Sequence, residues 1–166
     1  MAFVVRGDTK GALEKFDVVL RDYPADPNVH FRYAAFLMHV EPERGIKEMV
    51  KTLELEPDHI PALVGLASIY LNRAEPETAR PYAEKAVKLA PGDFATHVTM
   101  GRVLRETDDT PGAVREFETA VRLAPGSPES HYNLAIAYTK LGRKDDAVRE
   151  REEFRRLRKI TDPNQP

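Results

Sequence analysis

The segment that decides the fold is AVKLAP, residues 86–91, which recurs as AVRLAP at residues 120–125. Two earlier segments, TLELEP at residues 52–57 and VLRDYP at residues 19–24, end on a proline in the same way. The spacings between these four prolines are 33, 34 and 34 residues. Because proline lacks the backbone N–H and clashes with the preceding turn, each segment is typical of a helix end. A helix end that recurs about every 34 residues predicts a repeat architecture.

Each unit also carries the pattern of two helices joined by a turn. In residues 94–127, Gly101 and Leu104 mark one helical face, and Ala113 and Phe117 mark a second. Spacings of three and four residues are those of one face of an α-helix. We therefore predict two amphipathic helices in each unit.

Turn residues separate these helices at the expected places. The sequence DDTP at residues 108–111 predicts a helix cap followed by proline in the first turn. Asp26-Pro27 and Ser127-Pro128 predict the start of the first helix of their units.

The period divides the chain into four full units and one partial unit. The full units are residues 27–59, 60–93, 94–127 and 128–161, preceded by a partial unit, residues 1–26, and followed by a tail, residues 162–166. Residues 1–6 match the end of a first helix, so about two helical turns are missing from the partial unit. We therefore expect an apolar surface around Leu13, Phe16 and Leu20, which either self-associates or is covered by upstream sequence.

The units resemble the tetratricopeptide repeat (TPR), which has two antiparallel helices, alternating small and large packing residues and a terminal proline. The small residues of the pattern are Ala34, Ala67, Gly101 and Ala135 on the first helices and Ala79, Ala113 and Ala147 on the second. Departures from the family pattern are Gly45, Arg151 and Lys159, and the lack of tryptophan. His30, Leu63, His97 and His131 stand where the family has tryptophan. The resemblance covers essentially the whole chain and implies an all-α fold, a right-handed superhelix of antiparallel helix pairs forming a single repeat domain.

The same resemblance implies a non-enzymatic scaffold that binds a peptide or helix of a partner protein in a concave groove. The candidate groove residues are Phe31, Arg32, Val64, Ser68, Val98, Arg102, Arg105, Tyr132 and Asn133. Two arginines in the third full unit favour a partner segment that carries a carboxylate beside apolar residues.

Two alternatives remain open for these residues. Phe31, Val64, Val98 and Tyr132 could instead pack between adjacent helices. The chain could also be a structural, self-associating region of a larger protein with no groove ligand of its own.

Chaperone-binding members of this family hold a C-terminal carboxylate with Lys, Asn, Asn, Lys and Arg on three successive first helices. Only Asn133 matches that set. Val98 and Arg102 do not supply the required pair, and Phe31 and Ala35 replace it in the first full unit. We therefore do not expect a carboxylate clamp of that kind.

Composition and motifs exclude several other classes. The 166 residues include 25 Lys+Arg and 27 Asp+Glu, a net charge of −2, which argues against nucleic acid as a partner. The chain has no cysteine, so it holds no disulfide and no thiolate metal site. The sequence contains no His-Glu-x-x-His, Gly-x-Ser-x-Gly or phosphate-binding glycine loop, so we predict no catalytic residue, metal or cofactor.

Location and surface charge are less constrained. No apolar run approaches the ~20 residues that span a bilayer, so direct membrane insertion is not expected. No signal peptide is recognisable, which makes the cytoplasm the default location unless a leader precedes the first residue. The style of the repeats suggests a bacterial source. The charged helix at residues 144–160 is expected to be a solvated terminal face, with an anionic docking patch for a membrane surface or RNA as the alternative.

Overall fold

Nine helices follow one another along residues 9–161, the part of the chain that the computed structural model describes. They are α1 (Thr9–Asp22), α2 (Pro27–Leu37), α3 (Pro42–Leu55), α4 (Ile60–Asn72), α5 (Pro76–Leu89), α6 (Phe94–Glu106), α7 (Thr110–Leu123), α8 (Pro128–Lys140) and α9 (Lys144–Thr161). These described residues contain no strand, so the predicted all-α fold is confirmed. The predictions for residues 1–8 and 162–166 lie outside the described residues.

The helices pack in adjacent pairs within two compact units. The N-terminal unit is residues 1–66 and the C-terminal unit is residues 67–166, with the boundary inside α4. In the N-terminal unit α2 packs against α3, and α1 packs against α2. In the C-terminal unit the pairs α6–α7 and α8–α9 are the most extensive, and α5 packs on α6 and α7 on α8. We call α2, α4, α6 and α8 first helices, and the helix after each of them its second helix.

Three turns between a first and a second helix share one backbone geometry. Ala74, Asp108 and Gly142, spaced 34 residues apart, have φ of 58°, 61° and 75°. The next residue in each turn donates its N–H to a carbonyl five residues back, at 2.9 Å in all three turns. This is the bond that ends a helix in a left-handed residue. The turn after α2, residues 38–41, is one residue longer than these three turns, and no residue of it has a positive φ.

The predicted helix caps are confirmed at two of three sites. The Asp26 carboxylate accepts a hydrogen bond from the Asn28 N–H at 2.8 Å. The Asp109 carboxylate accepts one from the Gly112 N–H at 2.8 Å. Ser127 also stands at the N-cap of its helix, but its side chain makes no capping hydrogen bond.

Small residues permit close approach of the paired helices, as the sequence predicts. A Cβ atom on Gly101 would lie 2.5 Å from the Phe117 ring, far inside van der Waals contact. On Gly45 a Cβ would lie 3.0 Å from the Met38 backbone nitrogen. The predicted alanines are all buried, namely Ala34, Ala67, Ala79, Ala113, Ala135 and Ala147. Large side chains such as Leu134 and Tyr138 fill the core around them.

Three first helices are joined to their second helices by a buried histidine, and we call each such contact a His–Glu link. His97 Nδ1 lies 2.7 Å from the Glu116 carboxylate, and its Nε2 lies 2.9 Å from the Pro91 carbonyl oxygen. The same three-way contact joins His30, Glu48 and Pro24, and also His131, Glu150 and Pro125. The histidines are therefore core residues, as expected. In the remaining repeat the two positions are Leu63 and Tyr82, so both members of the link are replaced together.

Candidate functional site

The C-terminal unit contains a cavity of about 500 Å³ between the first helices α6 and α8. Its lining residues are Arg102, Arg105, Glu106, Glu129, Tyr132, Asn133 and Ile136. Four of the candidate groove residues therefore lie together, two on each helix. Arg102 and Arg105 are three residues apart on α6, and Tyr132 and Asn133 follow Glu129, which also lines the cavity, by three and four residues on α8. Positions three or four apart on a helix project to the same side.

The two arginines of this cavity differ in their partners. Arg105 donates to the Glu106 carboxylate through Nε at 3.1 Å and Nη2 at 3.0 Å, and to the Asn133 amide oxygen at 3.1 Å. Arg102 donates to the amide oxygen of Asn72 at 2.9 Å. Among the described residues, no carboxylate pairs with Arg102. The charge of Arg105 is thus compensated within the chain, whereas that of Arg102 is compensated by no described acid.

Exposure separates the other candidate residues of this unit. The Tyr132 side chain is 50% exposed, and its ring packs on Phe154 with centroids 5.3 Å apart. Asn133 is 6% exposed and also donates to the Glu129 carbonyl oxygen at 2.9 Å. Val98 is 4% exposed, which corresponds to the alternative of packing between helices. Ser68 is half-buried on α4 and does not line the cavity.

The candidate residues of the N-terminal unit have different surroundings. Phe31 is half-buried and packs on the His59 ring, with centroids 4.9 Å apart. Val64 is half-buried on α4. Arg32 is exposed and lines a different cavity, of about 590 Å³, between α1 and α2.

Sequence reasoning missed the two acids of the α6–α8 cavity. Glu106 follows Arg105 directly, and Glu129 precedes Asn133 by four residues, one turn of α8. That second spacing could have indicated Glu129, because residues four apart are neighbours on a helix. Together the two acids make the cavity rim mixed in charge rather than purely basic.

The apolar side chains exposed on α1 are not the ones that the sequence predicts. Phe16 stacks on Tyr33 at 4.8 Å between centroids, and Leu13 and Leu20 are half-buried. The large apolar side chains exposed on α1 are instead Val18 and Val19, at 51% and 40%. The face around Phe16 is therefore partly covered by α2.

A charged contact joins the C-terminal end of α8 to the turn after α6. Lys140 Nζ lies 2.6 Å from the Asp108 carboxylate, and this hydrogen bond lowers the pKa of Asp108 below its usual value. Nearby, burial raises the pKa of Tyr138, and its hydroxyl donates to Glu118 at 2.7 Å.

No group of three or more acidic or histidine side chains within residues 9–161 is placed to hold a metal ion. None of the helices described is long and apolar enough to cross a bilayer.

These features define a TPR-like helical-repeat domain, in which helix pairs follow one another and a cavity lies between first helices. A family model described as the cilia and flagella-associated protein 70 middle TPR-like domain matches residues 5–158. The chain belongs to this TPR-like family, which confirms the resemblance predicted from the repeats.

Solved structures of MamA share the fold. The structure titled "MamA RS-1 ArsTM double mutant" has a TM-score of 0.81 at 21% identity, covering 95% of this chain and 89% of that chain. "MamA 41-end from Desulfovibrio magneticus RS-1" has a TM-score of 0.75 at 22% identity, covering 97% and 90%. At these identities the similarity shows the fold alone. A comparison with curated proteins found no match.

Proposed function

We propose that the chain is a non-enzymatic scaffold that binds a segment of another protein in the α6–α8 cavity. The observation that carries this proposal is Arg102, a partly exposed guanidinium whose described partner is the neutral amide of Asn72. A carboxylate that reached Arg102 would form a charge-assisted hydrogen bond, stronger than the bond to an amide. Tyr132 and Ile136 line the same cavity and offer apolar surface beside it.

The remaining groove residues refine the proposal. Glu106 and Glu129 on the rim favour a partner segment that also carries a basic residue, because opposite charges across an interface set its register. Phe31, Arg32 and Val64 stay predictions for the N-terminal unit, and Ser68 stays one for α4.

A charge reversal tests the proposal. The chain is immobilised and used to capture proteins from a cell extract, followed by mass spectrometry, with three forms compared: the unmodified chain, Arg102→Glu combined with Tyr132→Ala, and Arg115→Glu. Arg115 is exposed on α7, away from the cavity, and serves as the matched charge control. We expect a partner that is captured by the unmodified chain and by Arg115→Glu and is lost from the double variant.

The measurement needs evidence that the double variant is folded and a result that would contradict the proposal. Circular dichroism melting should show that the double variant retains helix and melting temperature, since both side chains are partly or largely exposed. Equal capture by all three forms would move the binding site away from this cavity.

A second candidate is self-association through the N-terminal end. The observation that favours it is the exposure of Val18 and Val19 on α1. Light scattering over a hundredfold range of concentration tests it, with Val18→Asp as the variant. A concentration-dependent mass that Val18→Asp abolishes supports self-association, and a monomer at every concentration excludes it.

A further inference from the structure

Each His–Glu link places an oxygen atom against both nitrogens of one imidazole ring. In the link between α6 and α7, His97 Nδ1 lies 2.7 Å from the Glu116 carboxylate, and Nε2 lies 2.9 Å from the Pro91 carbonyl oxygen. A carbonyl oxygen and an ionised carboxylate can only accept hydrogen bonds. A neutral imidazole carries hydrogen on one ring nitrogen alone, so it can donate to only one of these two oxygens. The ring must therefore carry hydrogen on both nitrogens to satisfy the two oxygens together.

The two other links have the same geometry. The distance from Nδ1 to the carboxylate is 2.7 Å for His30 and 2.6 Å for His131, and the distance from Nε2 to the carbonyl oxygen is 3.0 Å in both. Hydrogen bonds from a charged N–H to a carboxylate are usually about 2.7–2.9 Å long, whereas those between uncharged groups are about 2.9–3.0 Å long. The short contact on Nδ1 therefore indicates an imidazolium paired with a carboxylate.

Burial makes a ring nitrogen without hydrogen costly in these links. The three histidine side chains are only 7–10% exposed, so water has little access to a nitrogen that faces an oxygen without a hydrogen between them. The side chains of the paired acids are 20–26% exposed, so each carboxylate keeps part of its contact with water. An ion pair can form here without the full cost of removing both charges from water.

Other charged groups act on two of the links. Arg44 on α3 interacts electrostatically with Glu48, the acid of the His30 link. Glu153 on α9 interacts with His131 and adds a second negative charge near that ring. The hydroxyl groups that interact with the acids of these two links are those of Tyr33 and Tyr138. The acids thus favour a charged ring in all three links, and least in the His30 link, where Arg44 competes for the carboxylate.

A fourth histidine has the opposite requirement. His59 Nδ1 accepts a hydrogen bond from the Ala62 N–H at 3.1 Å, at the start of α4. A backbone N–H can only donate, so this ring nitrogen carries no hydrogen. The fifth histidine, His39, is exposed. The chain therefore contains its own reference for a neutral ring and its own reference for a ring in water.

We infer that the three His–Glu links are proton-binding sites, each of which keeps its histidine as an imidazolium in the folded chain at neutral pH. A histidine in the unfolded chain loses this second proton above about pH 6.5. Folding above that pH therefore takes up one proton per link. The stability that the links contribute is fully present below about pH 6.5 and is lost as the pH rises. This inference does not depend on the function proposed for the α6–α8 cavity.

Nitrogen NMR of the imidazole rings tests the inference in the unmodified full chain, labelled with isotopic histidine. An imidazolium gives two ring nitrogens with similar chemical shifts, whereas a neutral ring gives one protonated and one bare nitrogen with widely separated shifts. His39→Gln and His59→Gln identify the signals of the two rings outside the links. At about pH 7.5, one unit above the usual histidine value, we expect the imidazolium pattern for the three linked rings and the neutral pattern for the other two.

A paired variant measures the proton of one link. His97→Leu with Glu116→Tyr gives this link the residues that stand at the same positions in residues 60–93, Leu63 and Tyr82. Urea unfolding is compared between about pH 6.5 and pH 8.5 for this variant, the unmodified chain and the matched control His39→Gln. The unfolding equilibrium constant of the unmodified chain should rise with pH. In the paired variant this rise should be smaller by up to about tenfold per pH unit, because one proton corresponds to that factor.

Three results would overturn the inference. The first is a neutral pattern for the linked rings at about pH 7.5, including a neutral ring beside a protonated acid. The second is an imidazolium pattern for His59 at that pH, which would contradict the hydrogen-bond requirement on which the inference rests. The third is the same pH dependence of unfolding in the unmodified chain and the paired variant. The NMR measurement uses intact links, so it decides the question even for a paired variant that does not fold.

Discussion

At the residue scale, the left-handed positions of the turns show which side chains the backbone tolerates. Gly142 has no Cβ to clash at φ 75°, and an aspartate such as Asp108 visits this region more readily than other residues. Ala74 has neither advantage at φ 58°. The turn after α4 therefore carries strain that the turn after α8 does not.

Ala74→Gly should raise stability by about 1 kcal/mol, because the left-handed conformation costs an L-residue with a Cβ roughly 1–2 kcal/mol and glycine adds some chain entropy on unfolding. For a chain of this size that corresponds to about 2–4 °C in melting temperature. Gly142→Ala is the matched reverse change and should lower the melting temperature. Differential scanning calorimetry of both variants measures the pair, and an Ala74→Gly chain that melts lower than the unmodified chain would contradict the argument.

The Asp108–Lys140 contact predicts a pH dependence. Its hydrogen bond holds the pKa of Asp108 below the usual value of 3.8 in the folded chain. The contribution to stability is therefore present above pH 3.8 and is lost as the pH falls through the folded value. Asp108→Asn should melt below the unmodified chain near pH 6, and the gap should narrow as the pH falls below 3.8.

The control for this measurement is Asp22→Asn, which removes an exposed carboxylate from the other end of the chain. The difference in melting temperature between Asp22→Asn and the unmodified chain should not show the pH dependence expected for Asp108→Asn. A gap for Asp108→Asn that stays constant from pH 6 to pH 3 would show that the contact does not depend on ionised Asp108.

At the scale of the element, the His–Glu link is a contact whose two members depend on each other, so that replacing only one of them destabilises the helix pair. Each histidine meets an acid on one nitrogen and a carbonyl on the other. Replacing the histidine alone leaves a partly buried carboxylate and a carbonyl oxygen without the imidazole that they contact. An unsatisfied buried group costs about 1–3 kcal/mol. Leu63 and Tyr82 show the apolar alternative, in which both members differ.

A double-mutant cycle tests this dependence. His97→Leu alone should destabilise the chain by about 1–3 kcal/mol. Glu116→Tyr added to it should recover part of that loss, because the unpaired carboxylate is gone. Urea unfolding gives the four free energies, and the coupling should exceed about 0.5 kcal/mol. Strict additivity of the two substitutions would show that the link contributes no energy of its own.

The elements themselves were largely predictable from the sequence. The recurring prolines predict the ends of four helices, and Asp26-Pro27 and Ser127-Pro128 predict the starts of two others, because both signals depend on local sterics. The small residues predict the close approach at Gly101. The partner of His97 was not predictable in this way, since Glu116 lies 19 residues away on the facing helix. Period and composition place a residue on a face, but the rotation of two packed helices decides which side chains meet.

At the scale of the whole molecule, the candidate site was predicted only in part. Arg102, Arg105, Tyr132 and Asn133 do line one cavity, whereas Val98 is buried and Arg32 lines a different cavity between α1 and α2. The repeat register treats every unit alike, and therefore it cannot distinguish a position on an interior helix from the same position beside an uncovered face. Glu106 and Glu129 were missed because the repeat pattern describes packing positions, whereas both acids are exposed.

A partner held through Arg102 should bind less tightly as salt is added. Exposed charges are screened over about 10 Å at 0.1 M salt and over about 3 Å at 1 M. Capture on the immobilised chain should therefore fall between roughly 0.05 and 0.5 M sodium chloride, whereas helix content should not change over this range. The Arg102→Glu with Tyr132→Ala variant provides the baseline. Retention that does not respond to salt would indicate binding through apolar contacts instead.

The His–Glu link also bears on how such a chain can lengthen. The three groups of one link, from Pro91 through His97 to Glu116, occupy 26 consecutive residues, fewer than one period of 34. A tandem duplication of one 34-residue period that begins at the proline therefore copies a complete His–Glu link. A crossover between the histidine and the acid separates the link only when one partner is residues 60–93, because the other three repeats all carry both groups. Gene segments that recombine near the prolines should thus yield folded arrays, and those that recombine between the two helices of residues 60–93 and another repeat should yield less stable ones.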